Sequence, residues 1–378
     1  MALTSAGPAA RVMAVFALHA TLVASLFLRL PEVQLRLGLS EAVYGLVLLA
    51  MPIGVVAGSM LVPALVERWG PRRVLTVALP LATALQIPAA FAVSAPTLGA
   101  ALLAFGFVFG IVNVTENIEA DRVEVASGAR IMNRCHGWWA LGFLAASLAA
   151  TGLVAVGLAP VWQFAGHAAL MAAATPLVLN GLPESRARTA TGPARRFALP
   201  GRGTIRIGLF ALASLVIEGI MRNWSVIHLR DTLGAAEWVA TLALPAVVAT
   251  QTLGRFLGDG WVIRHGVTRT LRWTSVLLLA GMVGFALAGH VVPALVSCLL
   301  IGVGIAVVQP QGFAAAARDG ARPAAESVAA FATFGTLVGF MSPPLFGGVV
   351  EALGFPVAFA LLVPLPVLAI LFANRLEP

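Results

Sequence analysis

A chain of 378 residues that is 60% hydrophobic and 11% charged, with a mean hydropathy of +0.95, has too little polar surface to be a water-soluble domain. Its net charge of +8 comes from 24 basic residues, all of them arginine, against 16 acids. These arginines gather on alternate segments between apolar runs, which argues against nucleic acid as a partner and for the charge bias that fixes membrane topology.

Apolar runs of about 20 residues, each able to cross a ~30 Å hydrocarbon core, recur from end to end. They predict twelve membrane-spanning helices over 10–31, 42–66, 73–93, 97–120, 133–157, 160–182, 205–229, 238–263, 270–289, 292–316, 325–350 and 355–374. The period-2 alternation of a transmembrane barrel is absent. Only Arg29, Arg36, Arg222 and Arg230 fall on the arginine-poor side, so both termini are expected in the cytoplasm. The N-terminal MALTSAGPAAR does not read as a cleavable signal, because the first span is long and lacks a small-residue cleavage site after it.

The first span ends in Arg29-Leu30-Pro31-Glu32, where the proline breaks or kinks the helix. Arg29 and Glu32 then form either a gate-side ion pair or a solvated helix end. Between spans two and three lies VERWGPRR, which carries Glu67, Arg68, Arg72 and Arg73.

The fourth span runs from ALLAFGFVF into GIVNVTENIEADRVEV and places charges where hydrocarbon is expected. At 100° per residue, Asn113, Glu116, Asn117 and Ala120 share an arc of about 100°. Asn113 and Asn117 suit hydrogen bonding to a solute in a water-filled cavity, and Glu116 suits binding of a proton or a polar solute. If the helix has already emerged by residue 116, these are interface residues paired with Arg122 or Arg134. Glu119 and later acids are expected near the cytoplasmic end. His136 opens the fifth span and is a candidate relay with Glu116 or Glu124, or a hydrogen-bonded helix end. His19, His167 and His290 have no convergent acid in sequence and receive no role.

The segment LPESRARTATGPARRFALPGRGTIR separates spans six and seven and reads as a linker. The organisation expected is therefore an N-terminal bundle over 1–182, a cytoplasmic linker over 183–204 and a C-terminal bundle over 205–378. In the seventh span Glu218 and Arg222 stand at i, i+4, the spacing at which a carboxylate and a guanidinium meet. They form a structural pair, a proton carrier with its counter-ion, or a grip on an anionic group. Asn223 and Trp224 beside them suit a solute site, although Trp224 also suits an interfacial anchor. After span eight come Asp259, Arg264 and Arg269. In the tenth span Gln309-Pro310-Gln311 interrupts an apolar run, and Gln309 is favoured as the cavity-facing member.

Cys135 and Cys298 have no metal-ligand spacing and read as free thiols. No phosphate-binding loop and no catalytic Ser-His-Asp order is present, so the chain reads neither as an enzyme nor as an ATP-driven pump. No cofactor or metal is expected beyond protons as a coupling ion.

The two halves repeat. VERWGPRR (66–73) matches VIRHGVTR (262–269), and LGLSEAVYGLVL (37–48) matches LGAAEWVATLAL (233–244), both at an offset of 196. Glu67-Arg68-x-Gly70-x-Arg72-Arg73 resembles the loop motif of the major facilitator superfamily, with Glu67 at the usual aspartate. The segments 27–54, NVTEN, HGWWALG, EGIMRNWS, GRFLGD and MSPPLFGG look like one bacterial branch of that superfamily, similar to the fucose–proton symporter-like permeases. The resemblance covers nearly the whole chain. It implies an all-α membrane fold of two pseudo-symmetric six-helix bundles, and it implies that Glu67, Arg68, Arg72, Arg73, Asp259 and Arg264 form cytoplasmic latches between them. That branch carries an acid where this chain has Asn113, so the acid here stands one turn on, at Glu116.

The function expected is secondary, proton-coupled transport of a small polar solute, sugar-like or a small acidic metabolite, by a monomer in the bacterial inner membrane. A proton-antiport exporter of drugs or amphiphiles, and a receptor or scaffold that has lost transport, are the alternatives.

Overall fold

The computed structural model describes residues 7–182, 201–318 and 324–373. The linker predicted over 183–204 lies outside them except for its last residues. Among the described residues the secondary structure is helical, with no strand. The chain divides into two compact units, Met1–Thr189 and Ala190–Pro378.

The first unit comprises α1 (Pro8–Phe27), α2 (Leu30–Leu37), α3 (Glu41–Leu48), α4 (Ala50–Ala84), α5 (Ile87–Ala90), α6 (Ala95–Ser127), α7 (Met132–Ala155) and α8 (Pro160–Leu179). The second comprises α9 (Arg202–Asp231), α10 (Glu237–Thr241), α11 (Ala243–His265), α12 (Val267–Ala286), α13 (Val291–Ile305), α14 (Val308–Arg318), α15 (Ala324–Leu353), α16 (Phe355–Ala360) and α17 (Pro364–Phe372). The predicted spans fall on these helices, with spans two and three sharing α4 and several spans divided between two helices. Among the described residues, eight helical stretches are long and apolar enough to cross a membrane by length and composition, and one of these, Glu41–Ala90, holds two predicted spans.

The breaks have local causes. Pro31 occupies the first turn of α2, so the helix of the first span stops at Phe27 and restarts at Leu30. Within α4, Gly70 holds φ 74 and ψ 153, a conformation essentially reserved for glycine, and Pro71 starts the next helical segment. Gly266 does the same between α11 and α12, with φ 79 and ψ 161. Gly38 and Gly234, also matched across the halves, end their helices at φ 60 and φ 63. The repeat read from the sequence is thus also a repeat of backbone conformation. In the tenth span the helix breaks between Ile305 and Val308, and Pro310 sits in the first turn of α14.

Packing in the first unit is tightest between α4 and α6. A side chain added at Gly58 would overlap the carbonyl of Phe107, one at Gly106 that of Met51, and one at Gly110 that of Val55. Small residues let these backbones touch, which is how helices associate where lipid removes the hydrophobic drive. One expectation is corrected here: α6 does not end at residue 120. It runs 33 residues to Ser127, about 50 Å at 1.5 Å per residue, and stops at Gly128 with φ 68.

Candidate functional site

In the first unit α1 and α6 bring His19 and Glu116 together. His19 Nδ1 lies 2.7 Å from Glu116 Oε1, and both side chains are 1% exposed. The ring of Phe109 packs against the imidazole at 4.4 Å between centroids. His19 Nε2 and Glu116 Oε2 are buried with no hydrogen-bond partner among the described residues. An imidazole against a carboxyl inside an apolar bundle offers one proton two adjacent seats. The expectation that His19 has no convergent acid is therefore corrected: nothing in the sequence links positions 97 residues apart, and only the packing of α1 on α6 does so.

The polar stripe expected on the fourth span divides. Glu116 turns to α1, while Asn113 and Asn117 are half-buried and Asn117 Nδ2 donates to the carbonyl of Asn113 at 2.7 Å. Glu119, expected near the cytoplasmic end, is 2% exposed and paired with Arg122 at 2.9 Å. Glu124 accepts the backbone N–H groups of Ile131 and Met132 at 2.8 and 2.9 Å, which caps the start of α7. His136 is exposed, with its ring edge-on to Phe16 at 5.3 Å, so the contact of Glu116 goes to His19 and the carboxylate of Glu124 to the α7 cap.

Arginines hold α8 at both ends. Arg29 is 2% exposed, not a solvated helix end. It donates to Gln163 Oε1 at 2.7 Å, to Glu32 Oε2 at 2.8 Å and to the carbonyl of Leu158 at 2.7 Å. Gln163 in turn donates to Ser25. At the other end, Arg11 bonds the carbonyls of Leu177 and Val178. Arg72 bonds the carbonyl of Leu182 and Asn180 Oδ1. A guanidinium at a helix C-terminus satisfies orphan carbonyls and matches the negative end of the helix dipole. A second polar chain runs beside it: Thr21 Oγ1 to His167 Nε2 at 2.8 Å, His167 Nδ1 to Gln86 Oε1 at 3.3 Å, and Gln86 Nε2 to the carbonyl of Leu22 at 2.7 Å.

In the second unit three predicted residues meet. Arg222 Nη2 donates to Glu218 Oε1 at 2.9 Å, and Gln309 Nε2 donates to Glu218 Oε2 at 3.3 Å. Both oxygens of Glu218 are therefore engaged, by a cation on its own helix and an amide on α14. Asn223 Nδ2 donates to the carbonyl of Gly219. Trp224 corrects both expectations made for it. It is 0% exposed and sits in an aromatic cluster with Phe346 and Phe355, so it neither stacks on a solute nor anchors at the interface.

The loop residues Glu67, Arg68, Arg73, Asp259 and Arg264 are exposed. Arg68 lies over the ring of Trp69 and Arg269 over that of Trp273, at 5.7 and 5.0 Å. His19 and Gln163 could have been found by the signal that found Glu116, a polar side chain inside an apolar run. Arg11, in contrast, stands at the start of its span and reads as an ordinary topogenic arginine.

Two helical units with repeated turns and long apolar helices define a multi-pass membrane protein. Residues 12–343 match the family model described as Major Facilitator Superfamily, and the chain belongs to that family. It is 29% identical over 336 residues to an uncharacterised transporter of the same type from Yersinia pestis, covering 87% of this chain and 85% of that one. It is 24% identical to the membrane protein MosC of Rhizobium meliloti, over 86% of this chain and 79% of that one. Its fold matches a mutant of the nucleoside transporter NupG with a TM-score of 0.81 at 15% identity, over 98% of this chain and 100% of the other. It matches the Escherichia coli fucose–proton symporter FucP with a TM-score of 0.63 at 16% identity, over 98% of each chain. The chain is a membrane transporter of small-molecule solutes, and not an enzyme.

Proposed function

We propose that the protein is a proton-coupled secondary transporter of a small polar solute, sugar-like or a small acidic metabolite, working by alternating access. The contact between His19 and Glu116 supports this reading most. A buried ionisable pair in a membrane bundle is costly to keep, and proton relays are one of the uses for which such pairs are kept. Each member retains one buried atom without a hydrogen-bond partner, so each has a position from which to take or pass a proton. Glu218 differs, because Arg222 and Gln309 already occupy both its oxygens. Coupling therefore falls to Glu116, and Glu218, Arg222 and Gln309 serve as fixed polarity for the solute. Structural neighbours named for nucleoside, xylose and fucose transport favour a hydroxyl-bearing cargo. The bacterial relatives favour the inner membrane, with cytoplasmic termini from the arginine bias. Protons are the coupling ion, and no organic cofactor enters the scheme.

The test uses proteoliposomes enclosing a pH-sensitive dye, challenged with sugars, polyols, nucleosides and hydroxy acids. The wild type should move protons with one class of solute. Glu116→Gln should lose gradient-driven accumulation of that class and keep solute exchange. Driven uptake unchanged by Glu116→Gln would remove Glu116 from the coupling role.

A further inference from the structure

Most arginines within the helices have identifiable acceptors. Arg11 has the carbonyls at the end of α8, Arg29 has Glu32 and Gln163, and Arg222 has Glu218. Arg255 on α11 is different. It lies ten residues before the end of its helix at His265, about 15 Å along the axis, and so well inside the span. It is half-buried, and among the described residues no acid lies within ion-pair distance of it, Asp259 one turn on included. Its Nε is buried without a hydrogen-bond acceptor. One turn before it, on the same face, stands Gln251, which is 5% exposed and whose Nε2 is likewise buried without an acceptor.

These two orphans have one character. A guanidinium only donates, and the orphaned atom of Gln251 is also a donor. Each buried donor left without an acceptor costs about 1–3 kcal/mol, so an acceptor brought to this helix face by a ligand would be stabilised there. The planar fork of a guanidinium fits two oxygens on one centre, as in a carboxylate. The charge is single, since Glu218 already balances Arg222 in this unit. A dianion would leave one charge uncompensated in the membrane.

We infer that Gln251 and Arg255 form a subsite for the carboxylate of a singly charged small acid, which makes the transported solute a monocarboxylate such as a hydroxy acid or sugar acid. This rests on the transport reading above and narrows its solute class. Arg255 supplies the charge and the fork, and Gln251 donates to the same carboxylate or to a neighbouring hydroxyl.

The experiment is thermal unfolding of the full chain in detergent with matched pairs of probes: gluconate and glucose, galactonate and galactose, glycerate and glycerol. At one fixed concentration, the acid of at least one pair should raise the Tm of the wild type and of the exposed-arginine control Arg272→Gln more than its neutral partner does. That rise should vanish in Arg255→Gln and shrink in Arg255→Lys, which keeps the charge without the fork, and in Gln251→Leu. If Arg255→Gln does not give a monodisperse protein, the Lys and Leu variants carry the comparison. The proposal fails if no acid stabilises the wild type more than these variants, or if only neutral probes do. It also fails if phosphatidylglycerol alone produces the Arg255-dependent shift, because the anion is then a lipid headgroup. No proton gradient is applied, so a failure of Glu116 to couple leaves this readout untouched.

Discussion

Gly70 and Gly266 stand 196 positions apart and hold the same backbone conformation, φ 74 and ψ 153 in one, φ 79 and ψ 161 in the other. Each is the single residue on which one long helix turns into the next, and each is matched by sequence across the two halves. Positive φ with ψ near 155 is nearly closed to residues with a Cβ, at a cost of about 1–3 kcal/mol.

Gly70→Ala and Gly266→Ala should therefore each lower stability by about 1–3 kcal/mol, although the space around Gly266 is open. Gly260→Ala, helical and with nothing within 4 Å, is the control and should be neutral or mildly stabilising. Thermal unfolding of the three variants decides the matter: equal effects at all three sites would mean that neither turn depends on its glycine.

His19→Leu should be strongly destabilising, by about 3–5 kcal/mol, because it leaves a carboxyl buried with no partner. The double substitution His19→Leu with Glu116→Leu should recover most of that loss. A double variant no more stable than His19→Leu would mean that the two side chains do not interact energetically.

Glu218→Gln removes the charge that Arg222 and Gln309 both address, and should cost about 1–3 kcal/mol. Arg222→Gln on top of it should add less than it does alone. Strict additivity in the cycle would contradict the coupling that the 2.9 Å contact implies.

Gly58→Leu and Gly106→Leu should each disrupt the first unit, since backbone atoms of the facing helix occupy the space a side chain needs. Overpacking costs about 1–3 kcal/mol even where side chains can yield, and here carbonyls must move. Gly99→Leu, on α6 in open space, should express and melt like the wild type. Loss of folded protein at Gly99 as well would point to the helix itself rather than to its contact with α4.

The sequence carried the features that depend on near neighbours. Span positions follow from runs of apolar residues, the Glu218–Arg222 pair from i, i+4 spacing, and the turns at Gly70 and Gly266 from a repeated motif. What stayed hidden depends on which helices pack together. His19 gained its acid only through the meeting of α1 and α6, and Arg72 reached Leu182 only because α8 ends beside α4. Trp224 looked like a site residue because Arg222 and Asn223 precede it, but a helix turns 100° per residue and carried it into the aromatic cluster.

The arginines at the two ends of α8 have a mechanical meaning. Arg29 secures the start of that helix from the junction of α1 and α2, and Arg11 and Arg72 secure its end from α1 and α4. Sliding α8 along its axis in either direction would break charge-assisted bonds at both ends at once, and tilting it would break those at one. Within the first unit α8 is thereby a strut bolted at both of its ends. A displacement of α8 is therefore expected to carry α1 and α4 with it.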